Sequence, residues 1–276
     1  PADYTTIQHG IDAAIDGDSV LVAAGTYNES LIWPDVNGIK LIGAGDTTNT
    51  IISGSSGSVI FINPSTAGTI DSSTLIKNFR IINGTGNTEI HYYNYPLGGG
   101  LCISNANPTL EDLYISGNTA YMGGGLYFSN SESRIDGLIV ADNTSGYTSN
   151  GGGAGLYALN SSISLLNSKI VNNIGTTQGV GAGVVLQGCD GIYFNNVLIS
   201  GNQSDREVGG IYITNCVNVN FSDVEISYNI ENTQQSSYLE GGMKISNWND
   251  TFTFNNVSIH HNGDLGLNIG NVTAPI

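Results

Sequence analysis

Apolar and polar positions along this chain fall into one phrase that is restated down its length. Residues 98–118 read GGGLCISNANPTLEDLYISGN, and close copies stand at 123–143 (GGGLYFSNSESRIDGLIVADN), 151–173, 181–202, 209–229 and 241–262. Aligned on the leading apolar residue, the copies begin at Leu101, Leu126, Leu156, Val184, Ile211 and Met243, with Leu267 opening another. Two residues on come Ile103, Phe128, Ala158, Leu186, Ile213, Ile245 and Ile269, which strand alternation puts on the same side as the leaders. A second strand in each unit carries Leu110, Ile135, Leu165, Phe194, Phe221 and Phe254. Ile115, Val140, Ile170, Ile199, Ile226 and Ile259 follow five positions later. A repeat of roughly 30 residues, too short to bury its own apolar face, specifies a solenoid in which each coil packs on the next.

Asparagine recurs at two turns of every unit. The first column is Asn105, Asn130, Asn160, Asn215 and Asn247, interrupted by Gly188; the second is Asn118, Asn143, Asn173, Asn202, Asn229 and Asn262. Asn tolerates the left-handed backbone region, and its amide can bond the equivalent amide one coil above and below, so both columns are expected to be structural ladders. The Gly pairs before each leader make room for a tight corner. Without a following helix and Lys they are no phosphate cradle.

The N-terminal third departs from the phrase. Residues 4–16 place Ile7, Ile11, Ala14 and Ile15 at helical spacing, with Thr5 or Thr6 as cap and Gly17 and Asp18 as the stop. Val20, Val22 and Ala24 then alternate as a strand, and short strands are expected at 38–45, 50–55 and 58–62. The opening YTTIQHGIDAAIDGDSVLVAAGTYNESLIW resembles that of right-handed parallel β-helix proteins of the pectate-lyase-like superfamily. The GGGL and apolar-x-x-Asn phrases resemble the coil motifs of bacterial surface β-helix proteins, including the chlamydial polymorphic outer-membrane family. The expected fold is therefore all-β: a right-handed parallel β-helix in one domain, with an amphipathic cap over 1–19, irregular first coils over 20–74 and regular coils over 75–276. The last coil is expected to be uncapped, which offers self-association through the C-terminal end.

Composition narrows function by exclusion. Seven Lys and Arg against 23 Asp and Glu give a net charge of −16, which is ill suited to a nucleic-acid partner. No apolar run approaches a membrane span, so no membrane insertion is expected. A surface rich in Asn, Ser, Thr, Gly and Tyr and poor in Lys fits a secreted or cell-surface protein. Cys102, Cys189 and Cys216 are an odd count that excludes a full disulfide framework. Cys189 and Cys216 occupy the same position in successive coils, as a disulfide or as two stacked thiols.

Contact chemistry is sought where side chains face outward. Tyr127, Tyr157 and Tyr212 directly follow their leaders and are expected to share one exposed face. Length varies in one turn, between the second Asn and the next Gly run, and this edge gathers His91, Tyr92, Tyr93, Tyr95, Tyr121, Tyr147, Arg206, Glu207, Tyr238 and Glu240. Such residues suit a glycan or a surface-protein partner, so the leading reading is a non-catalytic structural, assembly or adhesion role with Tyr contacting glycan. The alternative is a polysaccharide lyase acting on a uronate polymer, with Lys169 and Arg206 as candidate catalytic residues. No cofactor is expected, with Ca²⁺ as the alternative. His260 and His261 are consecutive, and strand alternation would point them to opposite faces, away from any one metal.

Overall fold

The computed structural model describes residues 3–90, 94–146, 151–232, 240–247, 251–263 and 265–270, with backbone alone at 177–179 and 240. Within them the strands pair in parallel in a β-solenoid: sheets of nine and 14 strands run its length, and a third of five strands spans Thr119 to Glu231. The nine-stranded sheet carries the leaders in the register that the repeat implies: Leu101 beside Leu126, then Leu156, Val184, Ile211, Met243 and Leu267. Two earlier strands join the same stack through Leu31 and Ile60. The 14-stranded sheet carries the second column, Leu110 through Ile135, Leu165, Phe194, Phe221 and Phe254. Facing inward, these columns meet in one apolar core that runs from Ile7 and Ile11 to Ile245. The Phe194 and Phe221 rings stack within it, with centroids 5.0 Å apart.

The second asparagine column is a buried ladder. Each Nδ2 donates to the Oδ1 of the next coil, Asn118 to Asn143 to Asn173 to Asn202 to Asn229 to Asn262, over 2.9–3.0 Å. The other amide hydrogen reaches a backbone carbonyl of the preceding coil, as Asn202 does to Ile170 at 3.0 Å. Each Oδ1 also accepts the backbone N–H of the Asn before it. From Asn118 to Asn229 these corners are sealed from water, so the ladder amides and the backbone groups they meet find their partners inside the protein.

The first column is different, and the expectation of a full ladder is corrected. Its residues adopt left-handed backbone, with φ of 47–56°. Amide bonds run only from Asn130 to Asn105 and from Asn105 to Asn63. Asn160, Asn215 and Asn247 make none among the described residues. This turn is at the surface, where water competes for amides, and Gly188 interrupts it.

Two further left-handed columns carry no single residue type. One is Asn78, Asp112, Gly137, Asn167, Asn196, Asp223 and Asn256; the other, just before each buried ladder residue, is Asn83, Gly117, Asp142, Asn172, Gly201, Tyr228 and His261.

At the N-terminal end the helix spans Ile7–Ala13, and the Thr6 hydroxyl caps it by accepting from the His9 N–H at 3.2 Å. Ile7, Gly10 and Ile11 close the core. Ile15 does not: the chain turns extended at Ala14, leaving Ile15 69% exposed. The three cysteines are buried free thiols. Cys189 and Cys216 do stack, and the Cys189 N–H donates to Cys216 Sγ at 3.3 Å. Ser131 and Ser161 repeat that pattern earlier in the same column, the Ser131 N–H donating to Ser161 Oγ at 3.1 Å.

Two outcomes follow. Asn202→Leu strands the Asn173 amide, the Asn173 N–H and the Ile170 carbonyl in a dry corner, and should cost at least about 3 kcal/mol, read as a lower denaturation midpoint. Cys216→Ser keeps an acceptor for the Cys189 N–H and should cost less than Cys216→Ala in the same measurement.

Candidate functional site

The outward positions of the nine-stranded sheet divide into a closed part and an open part. Tyr127 and Tyr157 were expected on an exposed face, but only 3% and 4% of their surface is accessible. Ile90 and Leu97, from the long turn, lie over the sheet. Leu97, Ile90 and Met122 pack with Phe61, Cys102, Tyr127, Tyr157 and Val185 in a second, smaller core. Short parallel bridges from Leu97 to Met122, Gly152 and Val180 tie the variable turns to one another. Strand alternation gave the direction of these tyrosines correctly and said nothing of what would cover them. Their burial raises the phenol of Tyr127 to about 12 and that of Tyr157 further. The Tyr157 hydroxyl donates to Gln187.

Beyond Val185 the face opens, and here the variable turn and the outward column meet. Tyr212, half-buried, lies beside Lys244 on the neighbouring strand. Lys244 Nζ is 3.4 Å from Glu207 Oε2, and Arg206 Nε is 4.0 Å from Glu207 Oε1. The side chains of Lys244 and Glu207 are about one-quarter exposed and that of Arg206 about one-half. Glu207 holds left-handed backbone at φ 64°, a strained choice for a residue with a long side chain. Two of the chain's seven basic residues thus meet at one carboxylate on a strongly acidic protein. Lys244 directly follows the leader Met243 and so faces outward, but nothing in the sequence ties it to Arg206 and Glu207, because turn length hides which loop residue reaches the next coil.

The other expected contacts separate. Tyr95 is half-buried and stacked on Tyr121 at 4.2 Å. Tyr92, Tyr93 and Tyr238, with His91 and Tyr147, lie outside the described residues. Lys169 and Arg206 are not brought together. Lys169 projects from the 14-stranded sheet between Ile139 and Leu198, whereas Arg206 belongs to the five-stranded sheet. A groove of about 330 Å³ follows the first Asn column past Asn107, Glu132 and Asp190, but its lining has neither a cation nor an aromatic ring. Among the described residues no group of three or more His, Cys, Asp or Glu side chains is placed to hold a metal ion. No helix among them is long and apolar enough to cross a membrane.

No protein-family model matches the chain. No curated protein matches it in sequence. Among solved structures it is similar to pectin methylesterase from Aspergillus niger, at 14% identity over 91% of this chain and 82% of that one, with a TM-score of 0.46. It is also similar to pectin methylesterase from Yersinia enterocolitica, at 10% identity over 96% and 94%, with a TM-score of 0.43. A third is the mannuronan C-5 epimerase AlgE4 A-module of Azotobacter vinelandii, at 15% identity over 95% and 90%, with a TM-score of 0.32. The solenoid assignment stands on the strand register above, and no residue role is carried across.

Burial of the two tyrosines has a pH consequence. A phenol whose folded value is raised favours the protonated fold, so its stabilising contribution is whole below pH 10, the ordinary value, and is lost as pH climbs towards 12. Absorbance titration of phenolate should show a late-ionising class whose appearance coincides with loss of structure by circular dichroism. Tyr127→Phe should remove part of that class.

Proposed function

We propose that this chain is an extracellular or cell-surface β-solenoid with a structural or adhesive role, and that it holds an acidic glycan at Arg206, Glu207, Tyr212 and Lys244. The carrying observation is the convergence of two cations on one half-buried carboxylate, at the open part of an otherwise covered sheet face. A uronate carboxylate supplies a partner for Arg206 with fork geometry, and Lys244 adds a mobile point charge. The ring of Tyr212 offers a flat apolar surface to a sugar. Successive coils stand about 4.8 Å apart, so Tyr212 and Lys244, one coil on, face the same short stretch of a bound polymer. The continuous core and the buried ladder supply the stiffness that a load-bearing or adhesive stalk requires.

Affinity electrophoresis or calorimetry against a uronate polymer and against a neutral glucan tests the reading. Arg206→Ala and Lys244→Ala should each weaken uronate binding about tenfold, and added salt should weaken it further. Equal binding of the neutral polymer, or no change in either variant, would remove this assignment. Absorbance of an unsaturated product that disappears in Arg206→Ala would instead make the chain a lyase.

A further inference from the structure

The last described corner of the 14-stranded sheet carries an arrangement that the glycan site does not use. His260 ends the strand Phe252–His260, and His261 turns into left-handed backbone at φ 50°. That turn defeats strand alternation: both imidazoles face one another, with Nδ1 of His260 2.7 Å from Nδ1 of His261. The ring centroids are 5.0 Å apart and the planes are nearly perpendicular. The distance left over after the N···N separation matches the two centre-to-nitrogen radii, so the lone-pair axes lie along one line. Two ring nitrogens this close share a proton along that line, the tautomers setting which one donates.

Three neighbours hold the pair in place. Glu225 Oε1 lies 3.4 Å from Nε2 of His260, which favours the tautomer with its proton on Nε2 and leaves Nδ1 with a lone pair that can accept the His261 proton or bind an ion. The Ser227 hydroxyl donates to the same carboxylate oxygen at 2.8 Å. Tyr228 stacks on His261 with ring centroids 5.1 Å apart and planes 12° from parallel. Tyr228 and His261 stand in the left-handed column where earlier coils use Asn, Asp or Gly. A tyrosine pays more for that backbone than the residues it replaces, and in return its ring is set against the imidazole.

We infer that His260 and His261 form a two-coordinate site for a monovalent d¹⁰ ion of the copper(I) class. Divalent ions ask for four or more donors, and the described residues place no third His, Cys, Asp or Glu to complete such a set; a d¹⁰ monovalent ion is satisfied by two nitrogens in line. Metal–imidazole bonds of about 2 Å require the nitrogens to stand about 4 Å apart. The rings, at the surface, need part by only a little over ~1 Å along the line they already share. Binding costs the neutral pair no net proton: the His261 hydrogen moves from Nδ1 to the outward Nε2 as the ion takes its place.

Anaerobic titration of the folded protein with Cu⁺ against a chromophoric Cu⁺ chelator tests the site, with Ag⁺ as a redox-inert second probe. One ion per chain is expected, with the X-ray absorption signature of linear two-nitrogen coordination. His261→Asn keeps a residue suited to the left-handed corner and should weaken binding at least about tenfold while leaving the thermal midpoint near wild type. His260→Ala should do the same, and Glu225→Gln should weaken binding by a smaller factor. Cys102→Ser, Cys189→Ser and Cys216→Ser together should leave binding unchanged. Failure to compete with the chelator, retention of affinity in His261→Asn, loss in the cysteine variant, or a spectrum of three or more ligands would each overturn the inference.

Discussion

From Asn118 to Asn229 each coil turns a corner deep enough to be dry, and a dry corner tolerates no unpaired backbone group. The column Asn118 to Asn262 meets that constraint with one residue type, because a carboxamide has two hydrogens and two lone pairs. One hydrogen serves the next amide and the other a carbonyl; the oxygen takes an amide and a backbone N–H. Leucine would fill the space and satisfy none of them. Aspartate would bring a charge with no donor of its own. With the corners sealed, the leaders and the second-strand apolar residues can stack in register, and the surface is free to vary.

That division sets what could be read from the sequence. The apolar columns were legible because they recur at fixed spacing, and their pairings Leu101 to Leu126 and Leu165 to Phe194 follow from it. The buried ladder was legible for the same reason. The first Asn column misled: conformation, not amide pairing, selects Asn there, and the two demands leave the same letter in the chain. The columns through Asp112 and Asp142 were invisible because a left-handed backbone is met by Asn, Asp or Gly alike, and here even by Tyr and His.

The outward side was harder for a different reason. Alternation gives the side of the strand on which Tyr127 lies, but exposure depends on a turn of irregular length that the repeat does not govern. The cluster around Glu207 is the same problem in reverse. Arg206 and Glu207 leave a turn, Tyr212 opens the next coil and Lys244 comes a coil later, so only the stack makes them neighbours. His261 shows a local limit as well: one left-handed residue cancels the period-two rule at the point where two rings needed to be compared.

The ladder runs one way. Each amide points its hydrogen towards the following coil and its oxygen towards the preceding one, from the Gly84 N–H that meets Asn118 to the amide of Asn262. A coil is therefore an interchangeable part with a donor side and an acceptor side, matched to any other coil whatever its turns carry. Excising or duplicating a whole unit, from one ladder residue to the next, leaves a joint of the same chemistry, so a lineage can lengthen or shorten this body in steps of one coil without redesigning its interior.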